Sequence, residues 1–406
     1  KAKELLLLYQ KKKTIKYLQD SIKIYSFVQV QLSIITNETK LIHLKNISTF
    51  LLNFSDKEIC VPSTFLYNKP IISIERIDSI IIKSRQKSKR ILIIGSDGKK
   101  YNYLLKSKDD IHFDEYIMQI FSFINNLVEN SNLIMKSQLR LITYKVTPIT
   151  EKIGLIGWIK NSPTLYKSIR NYRVRKGIDL NFELNSAKQK FGFKRFNELP
   201  LEEKVEAYKY GVNTNPVNDL AKLILSYSID STQWLQKRTF YTASLAISSM
   251  VGYILGLGNR NLQNIMIKTK TCELVHNGFD SCFDITRNRL KYSETVPFRL
   301  TKMFINALEA TKIEGTFRSC CENIMKLMRH NREQILGLLH AIVFNPFIQI
   351  NSNQDSSAIF SSLETKLCGR ENSSKKITIQ TQVDNLIKEA IDYKNLSVMY
   401  PGWLPW

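Results

Sequence analysis

The sequence predicts an α+β chain of two lobes, an antiparallel sheet followed by a mainly helical region. Three observations carry the prediction. Short, mostly Ile-rich, turn-bounded runs at 71–74, 79–82, 90–94 and 101–105 read as strands. From 162 to 347 the apolar spacing is mostly helical. Inside that stretch, residues 249–301 break the pattern. A long apolar helix ends in the Gly-punctuated turn GLGNRN, and two β-like runs, QNIMI and CELVH, flank the polar turn KTKT before the loop NGFDSCFD.

In chain order, residues 5–33 place Leu5, Leu8, Tyr9, Ile15, Leu18, Ile22, Ile24, Phe27 and Val30 broadly at helical spacing. A weaker helical stretch follows at 38–56, with Leu51, Leu52 and Phe54 apolar. After VPSTF the period changes to that of strands, and Gly95-Ser96-Asp97-Gly98 joins the last two runs as a hairpin. Residues 109–129 form an amphipathic helix, followed by strand-like LRLITYKVTPI (139–149) and the GLIGWI segment. Residues 351–376, rich in Ser, Asn, Gln and Lys, read as a flexible insert. The last thirty residues return to helix through Val383, Leu386, Ile387, Ala390 and Ile391, and end in aromatic YPGWLPW. No internal repeat is visible.

At 406 residues the chain is long enough for two or three lobes with real cores. Six Cys show no spacing typical of zinc or of a disulfide framework, so they read as reduced, intracellular thiols. The longest apolar run, 246–258, falls short of the roughly 20 residues of a membrane span. The opening KAKELLLLYQ lacks an initiator Met and reads as the start of a fragment; its LLLL is too short for a signal peptide. The net charge, 59 − 36 = +23, is spread among Ile and Asn without a compact basic-aromatic module. It reads as a bias toward Lys, Ile and Asn rather than as a nucleic-acid footprint.

The words SMVGYILGLGNRN, VPFRLTKM, NDLAKLI, GLIGWI, DGKKYNYLLK and the terminal GWLPW together point further. The chain resembles the phosphatidylinositol-3-kinase-related protein kinases, and within them most closely the target-of-rapamycin kinases. The similarity spans nearly the whole chain and implies a bilobal protein-kinase-like fold of the phosphatidylinositol 3-/4-kinase type. On that resemblance 1–58 is the end of a rapamycin-binding-bundle-like helical region with its linker, and 59–159 is the N-lobe. The C-lobe is 160–350, the flexible insert 351–376, and the C-terminal FATC segment 377–406.

The resemblance also implies roles. KSRQKSKR at 83–90 stands where the phosphate-covering loop belongs. Lys106 in YLLK resembles the strand lysine on the ATP phosphates, with Asp109 and Asp114 as its acidic partners. Trp158 and Ile159 fall at the hinge that holds adenine. ATP with Mg2+ or Mn2+ would be the cofactor set. Residues 164–212 resemble the insertion that binds a WD-repeat propeller subunit, alongside the scaffold subunits of a TOR-type complex. Residues 285–301 resemble the activation loop, on which the FATC segment packs. The tail aromatics Tyr400, Trp403 and Trp406 suit membrane contact or core packing. A cytoplasmic location follows, with endomembrane or nuclear association.

Where the family has GDRHxxN, this chain has Gly258-Asn259-Arg260-Asn261-Leu262-Gln263-Asn264. Asn264 keeps the metal-binding amide. Asn259 replaces the Asp that deprotonates the substrate hydroxyl, and Asn261 replaces the His near the γ-phosphate. Where the family has HIDFG, the chain has His276-Asn277-Gly278-Phe279-Asp280, with Gly278 at the metal-carrying Asp. Asp280 shares a face with 278 in an extended segment and is the carboxylate a re-registered loop would bring to a metal. Asp284 matches an acidic position the family also has. The reading that follows is a pseudokinase acting through binding; the competing one is an active Ser/Thr kinase with a compensated catalytic loop. A nucleic-acid-binding protein explains none of these words.

Overall fold

The computed structural model describes residues 2–38, 48–64, 72–81, 89–107, 111–132, 138–150, 153–192, 199–215, 217–287, 293–345, 355–370 and 376–406. Two compact units emerge, Lys1–Ile111 with Val146–Trp158, and His112–Lys145 with Ile159–Trp406.

In the first unit, α1 (Ala2–Lys12) and α2 (Ile15–Glu38) form a helical pair. The single helix expected over 5–33 is broken at Lys13, whose φ of 54° leaves the helical region, and the Ser21 hydroxyl donates to the Ala2 carbonyl across the turn at 2.9 Å. The weaker helix expected at 38–56 shrinks to α3 (Thr49–Leu52), capped by the Ser48 hydroxyl, because strand β1 (Asp56–Cys60) already begins beside it. Residues 39–47 lie outside the described residues.

The sheet then follows with β2 (Ser73–Ile81), β3 (Lys89–Gly95), β4 (Lys100–Ser107), β5 (Val146–Thr150) and β6 (Ile153–Gly157). Its order is β1-β2-β3-β4-β6-β5, with every neighbouring pair antiparallel. The two runs expected at 71–74 and 79–82 are one strand, β2, since Ile77 pairs with Ile93 between them. The β3–β4 hairpin closes where expected. The Gly98 amide donates to the Gly95 carbonyl at 2.8 Å, and Asp97 accepts from the Lys99 amide and the Tyr101 hydroxyl. One sheet face buries Val61, Ile74, Ile93, Tyr103 and Leu155 together. Tyr103 keeps its hydroxyl bonded to the Pro62 carbonyl at 2.7 Å, and burial pushes its pKa up to about 12.

The second unit opens with α4 (His112–Glu129), whose Ile117, Ile120, Phe121, Ile124 and Val128 are buried. The run 139–149, expected as strand, is extended pairing only from Val146 onward. Its first half packs on α4 instead, where the Asn125 amide bonds both the N–H and the carbonyl of Leu141. Helices α5 (Leu165–Arg175), α6 (Phe182–Phe191), α7 (Leu201–Thr214) and α8 (Asp219–Ser226) lead to α9 (Ser231–Ile254), the central helix, buried on all sides from Tyr241 onward. Strands β7 (Ile265–Ile267) and β8 (Leu274–His276) form the small antiparallel pair that QNIMI and CELVH predicted. The chain continues through α10 (Lys302–Ala307), a π turn at Ile313–Phe317, α11 (Arg318–His330), α12 (Arg332–Val343), α13 (Ser356–Cys368), α14 (Ile379–Ile391) and α15 (Tyr393–Val398) to a 3₁₀ turn at Pro401–Trp403.

The segment 351–376 is not simply a flexible insert. Helix α13 occupies 13 of its residues, capped by Asp355 and buried through Ile359, Leu363 and Leu367. Its anchor is Lys366, 3% exposed, which donates to Asp284 Oδ2 at 2.5 Å and to the Tyr253 carbonyl at 3.2 Å. That partner is far away in sequence, so polar composition alone misreads the segment.

A buried charge triad ties α5, α6 and α8. The Arg173 guanidinium donates to Glu183 (2.6 and 2.9 Å) and to Asp219 Oδ2 (2.7 and 2.8 Å), with Arg173 1% and Glu183 0% exposed. Two carboxylates raise the arginine pKa despite its burial. Removing the shared cation leaves two buried carboxylates facing each other, so Arg173→Met should lower stability by about 3–5 kcal/mol in urea unfolding.

Candidate active site

The GLGNRN turn is built on close approaches only glycine permits. Gly256 ends α9 at φ +57°, and a Cβ there would lie 2.4 Å from the Asp284 amide nitrogen. A Cβ on Gly258 would lie 1.9 Å from Thr286 Oγ1. The turn is thereby pressed against the segment that follows HNGFD.

Arg260 then locks the two loops together. Its buried guanidinium donates to the carbonyls of Gly258 (2.8 Å), Asn277 (3.0 Å) and Gly278. Every acceptor is neutral, and burial pulls its pKa below the usual arginine range. Phe279 is fully buried beside it, edge-on to Phe121 at 5.7 Å. The frame residues Gly256, Gly258, Ile265, Phe279 and Phe283 thus serve the backbone path.

On this frame the polar positions converge as the sequence predicts. The Asn261 Nδ2 donates to Asn259 Oδ1 at 2.8 Å, and Asn261 Oδ1 accepts from the amides of Gln263 and Asn264. Asn264 Nδ2 donates to the Asn259 carbonyl at 2.9 Å. A Cβ built on Gly278 would face Asn264 Oδ1 at 3.2 Å, which makes 264 and 278 facing positions. Three amides and a glycine occupy the centre. An amide has neither a negative charge nor useful basicity, so the trio can orient a hydroxyl but not take its proton.

A divalent cation fits this set poorly. Hard cations need oxygen ligands, mostly carboxylates, and the loops offer the Asn264 oxygen opposite a residue without a side chain. Asp280 is exposed and, among the described residues, makes no hydrogen bond or ion pair that would place it at Asn264. Among the described residues no group of three or more His, Cys, Asp or Glu could hold a metal. Asp284 is engaged with Lys366 and Arg287.

The carboxylate that reading the sequence missed is Glu294. Both of its oxygens accept from the Asn259 amide, at 2.9 and 2.8 Å. This holds Asn259 at a left-handed φ of 57°. A signal was present, since Glu294 is the one acid in the basic stretch 285–301.

The nucleotide-side residues are divided between the units. In the sheet unit, Lys106 lies on β4 opposite Gly154 and is largely buried. Trp158 donates its amide to the Asn102 carbonyl at 2.9 Å. Its indole carries the Arg90 guanidinium 5.0 Å from the ring centroid, and Asn102 holds that guanidinium, so adenine stacking on this face would displace Arg90. In the helical unit, Asp114 is buried in the first turn of α4, and Ile159 begins the unit's second segment. Asp109 and residues 83–88 of the basic segment lie outside the described residues.

The C-terminal tail belongs to the core of the helical unit. Arg299 donates to the carbonyls of Trp403 (2.7 Å), Leu404 (2.5 Å) and Arg260 (3.2 Å), with its guanidinium 4.1 Å over the Trp403 ring. Trp406 stacks on Tyr208, whose hydroxyl donates to the Pro405 carbonyl at 2.9 Å. With Trp403 4% and Trp406 3% exposed, the expected membrane contact through these two rings gives way to core packing, and Tyr400 alone is exposed. The activation-loop-like stretch meets the same tail. Thr295 donates to the Asn395 carbonyl at 2.9 Å, and Arg287 pairs with Glu389 at 3.4 Å.

His276, at the end of β8, has both ring nitrogens sealed from solvent and, among the described residues, without hydrogen-bond partners. Burial and then the Arg260 charge depress its pKa from 6.5 to about 3. Between these values the unfolded chain binds a proton that the folded chain does not, so acidification destabilises the fold. Wild-type stability should fall by about 1.4 kcal/mol per pH unit more steeply than that of His276→Gln between pH 6 and 4, read from urea midpoints.

The family Phosphatidylinositol 3- and 4-kinase matches residues 100–352, and the FATC domain matches 376–406. The chain is similar to the serine/threonine-protein kinase TOR of Oryza sativa subsp. japonica, 40% identical over 311 residues, covering 75% of this chain and 12% of that protein. It is similar to TOR2 of Saccharomyces cerevisiae, 33% identical over 458 residues, covering all of this chain and 18% of that one. Among solved structures, the open conformation of CtTel1 superposes with a TM-score of 0.72 at 28% identity over 85% of this chain and 13% of its own. The chain thus spans under a fifth of the length of these relatives. With the loop frame, the central helix and the buried aromatic tail all in place, the chain belongs to the phosphatidylinositol 3- and 4-kinase family, as a FATC-bearing phosphatidylinositol-3-kinase-related protein kinase close to the TOR kinases.

Proposed function

We propose that this chain is the kinase-and-FATC portion of a TOR-like serine/threonine kinase whose phosphoryl transfer is impaired and which acts through binding. One observation carries the reading. The catalytic centre is a network of amides, Asn259, Asn261 and Asn264, facing Gly278, where the reaction needs a base and a metal carboxylate. Loss of a general base alone costs typically about 10²–10⁴-fold in rate. Loss of the metal carboxylate removes the ion that neutralises the transferring phosphoryl group. The ATP side, Lys106 with Asp109, Asp114, Trp158 and Ile159, would then serve nucleotide binding more than turnover.

The binding role falls to the surface of 164–212, which would take a WD-repeat propeller subunit within a complex of TOR type in growth and nutrient signalling. A cytoplasmic setting, with endomembrane or nuclear association, suits that role. Deleting 164–212 would remove α5–α7 and the buried Arg173 triad. A surface change is the cleaner probe. Charge reversal at exposed Glu202, Glu203 and Glu206 (each to Lys) should abolish co-purification with such a propeller without unfolding the chain.

The second reading, an active kinase with a compensated loop, draws on Glu294, which keeps one negative charge on the Asn259 amide. Radiometric γ-phosphate transfer to a Ser/Thr peptide with Mg2+ or Mn2+ separates the two. The wild-type chain should show no turnover above a Lys106→Met control, and turnover lost in that control would establish the second reading. Asn259→Asp, Asn261→His and Gly278→Asp together should create activity. Both Asp substitutions fall at left-handed positions that aspartate tolerates better than most residues.

A further inference from the structure

Where α11 ends and α14 begins, the helical unit holds an open cavity of about 540 Å³. Lys326, Arg329, His330, Arg332 and Lys376 line it, together with residues 377–380 at the start of α14, and among the described residues no carboxylate lines it. Four permanent cations therefore share one concave surface. Solvated cations on a convex face screen one another; here the walls hold them together.

Arg329 is the built part of the site. It is 7% exposed, and its guanidinium donates to Gln382 Oε1 (3.1 and 2.6 Å) and to the Ile377 carbonyl (2.9 Å). These acceptors satisfy its hydrogen bonds but leave its charge uncompensated. Burial lowers its pKa accordingly. The position is held tightly, since a Cβ on Gly369, at φ +67°, would lie 1.8 Å from Nη2. The first turn of the 13-residue α14 faces the same space. The Thr378 hydroxyl caps the Thr381 amide at 3.1 Å, and the amides of Ile379 and Gln380 have no intrahelical partner. Arg332 does pair with Glu333 at 3.2 Å, but both side chains are largely exposed, and such a pair yields readily to a stronger anion.

We propose that this cavity binds a small anion bearing two or more phosphate groups, held by Lys326, Arg329, Arg332 and Lys376 and by the amino end of α14. A single phosphate would leave most of the space and half of the cations unused. Guanidinium and ammonium groups around helix amides are the donors that phosphate oxygens take. An occupant would join α11 to the start of the FATC segment and stabilise both.

The test uses the whole chain and sodium tripolyphosphate as probe, by titration calorimetry at about 0.15 M salt to screen diffuse attraction. Saturable one-to-one binding is expected, weakened at least about tenfold in Lys326→Ala/Arg332→Ala/Lys376→Ala. The buried Arg329 stays intact in this variant. Lys3→Ala/Lys11→Ala/Lys12→Ala removes the same charge from exposed positions of α1 and should bind as wild type. Absent saturation, or equal weakening by both triples, would overturn the proposal in favour of the overall positive charge. Sedimentation with phosphatidylcholine vesicles carrying a bisphosphorylated phosphoinositide identifies the source. Binding lost in the first triple and competed by tripolyphosphate assigns a lipid headgroup, whereas tripolyphosphate binding without sedimentation assigns a soluble anion.

Discussion

Two buried guanidiniums hold the helical unit in its functional shape. Arg260 gathers the carbonyls of Gly258, Asn277 and Gly278, so the turn after α9 and the loop after β8 cannot move apart. Arg299 reaches from the next segment to the Arg260 carbonyl and to the last turn of the chain at Trp403 and Leu404. A planar fork with five donors can do this and an ammonium cannot. Each charge is buried against neutral oxygens and aromatic faces, a desolvation cost that the geometry must offset. The two loops and the C-terminal tail consequently form one mechanical element.

That arrangement makes the frame independent of the polar side chains it carries. The loops are positioned by backbone carbonyls, by glycines that admit close approach, and by buried Phe279 and Phe283. None of these contacts depends on what stands at 259, 261 or 278. The amides at 259, 261 and 264 form a self-consistent network, because Asn261 can donate to Asn259 and still accept from Gln263 and Asn264. The backbone path of these fifty residues is thus set apart from the polar side chains at 259, 261 and 278.

The tail and the polar segment before it show where local reading stops. An aromatic, proline-containing end suits an interface or a core equally well by composition; burial beneath Arg299 and against Tyr208 decides for the core. The segment 351–376 has the composition of a linker, but one buried lysine meeting Asp284 makes α13 part of the unit. The late start of the strand expected at 139–149 is of the same kind. In each, a partner distant along the chain overrides a local tendency.

By itself the sequence determined the α+β class, the β3–β4 hairpin, the amphipathic α4, the strand pair β7–β8 and the family, because turn residues and hydrophobic periods act over a few positions. It also placed Asn259, Asn261, Asn264 and Gly278 at one centre, since the spacing of those words is set by the turn and hairpin between them. Only the tertiary structure decided that Glu294 holds the Asn259 amide, that the tail tryptophans are core, and that four cations meet at the head of α14. Those outcomes depend on hydrogen bonds and charges between residues from three to about a hundred positions apart. Periodicity carries no record of such pairings, because their energy arises only when the chain has folded.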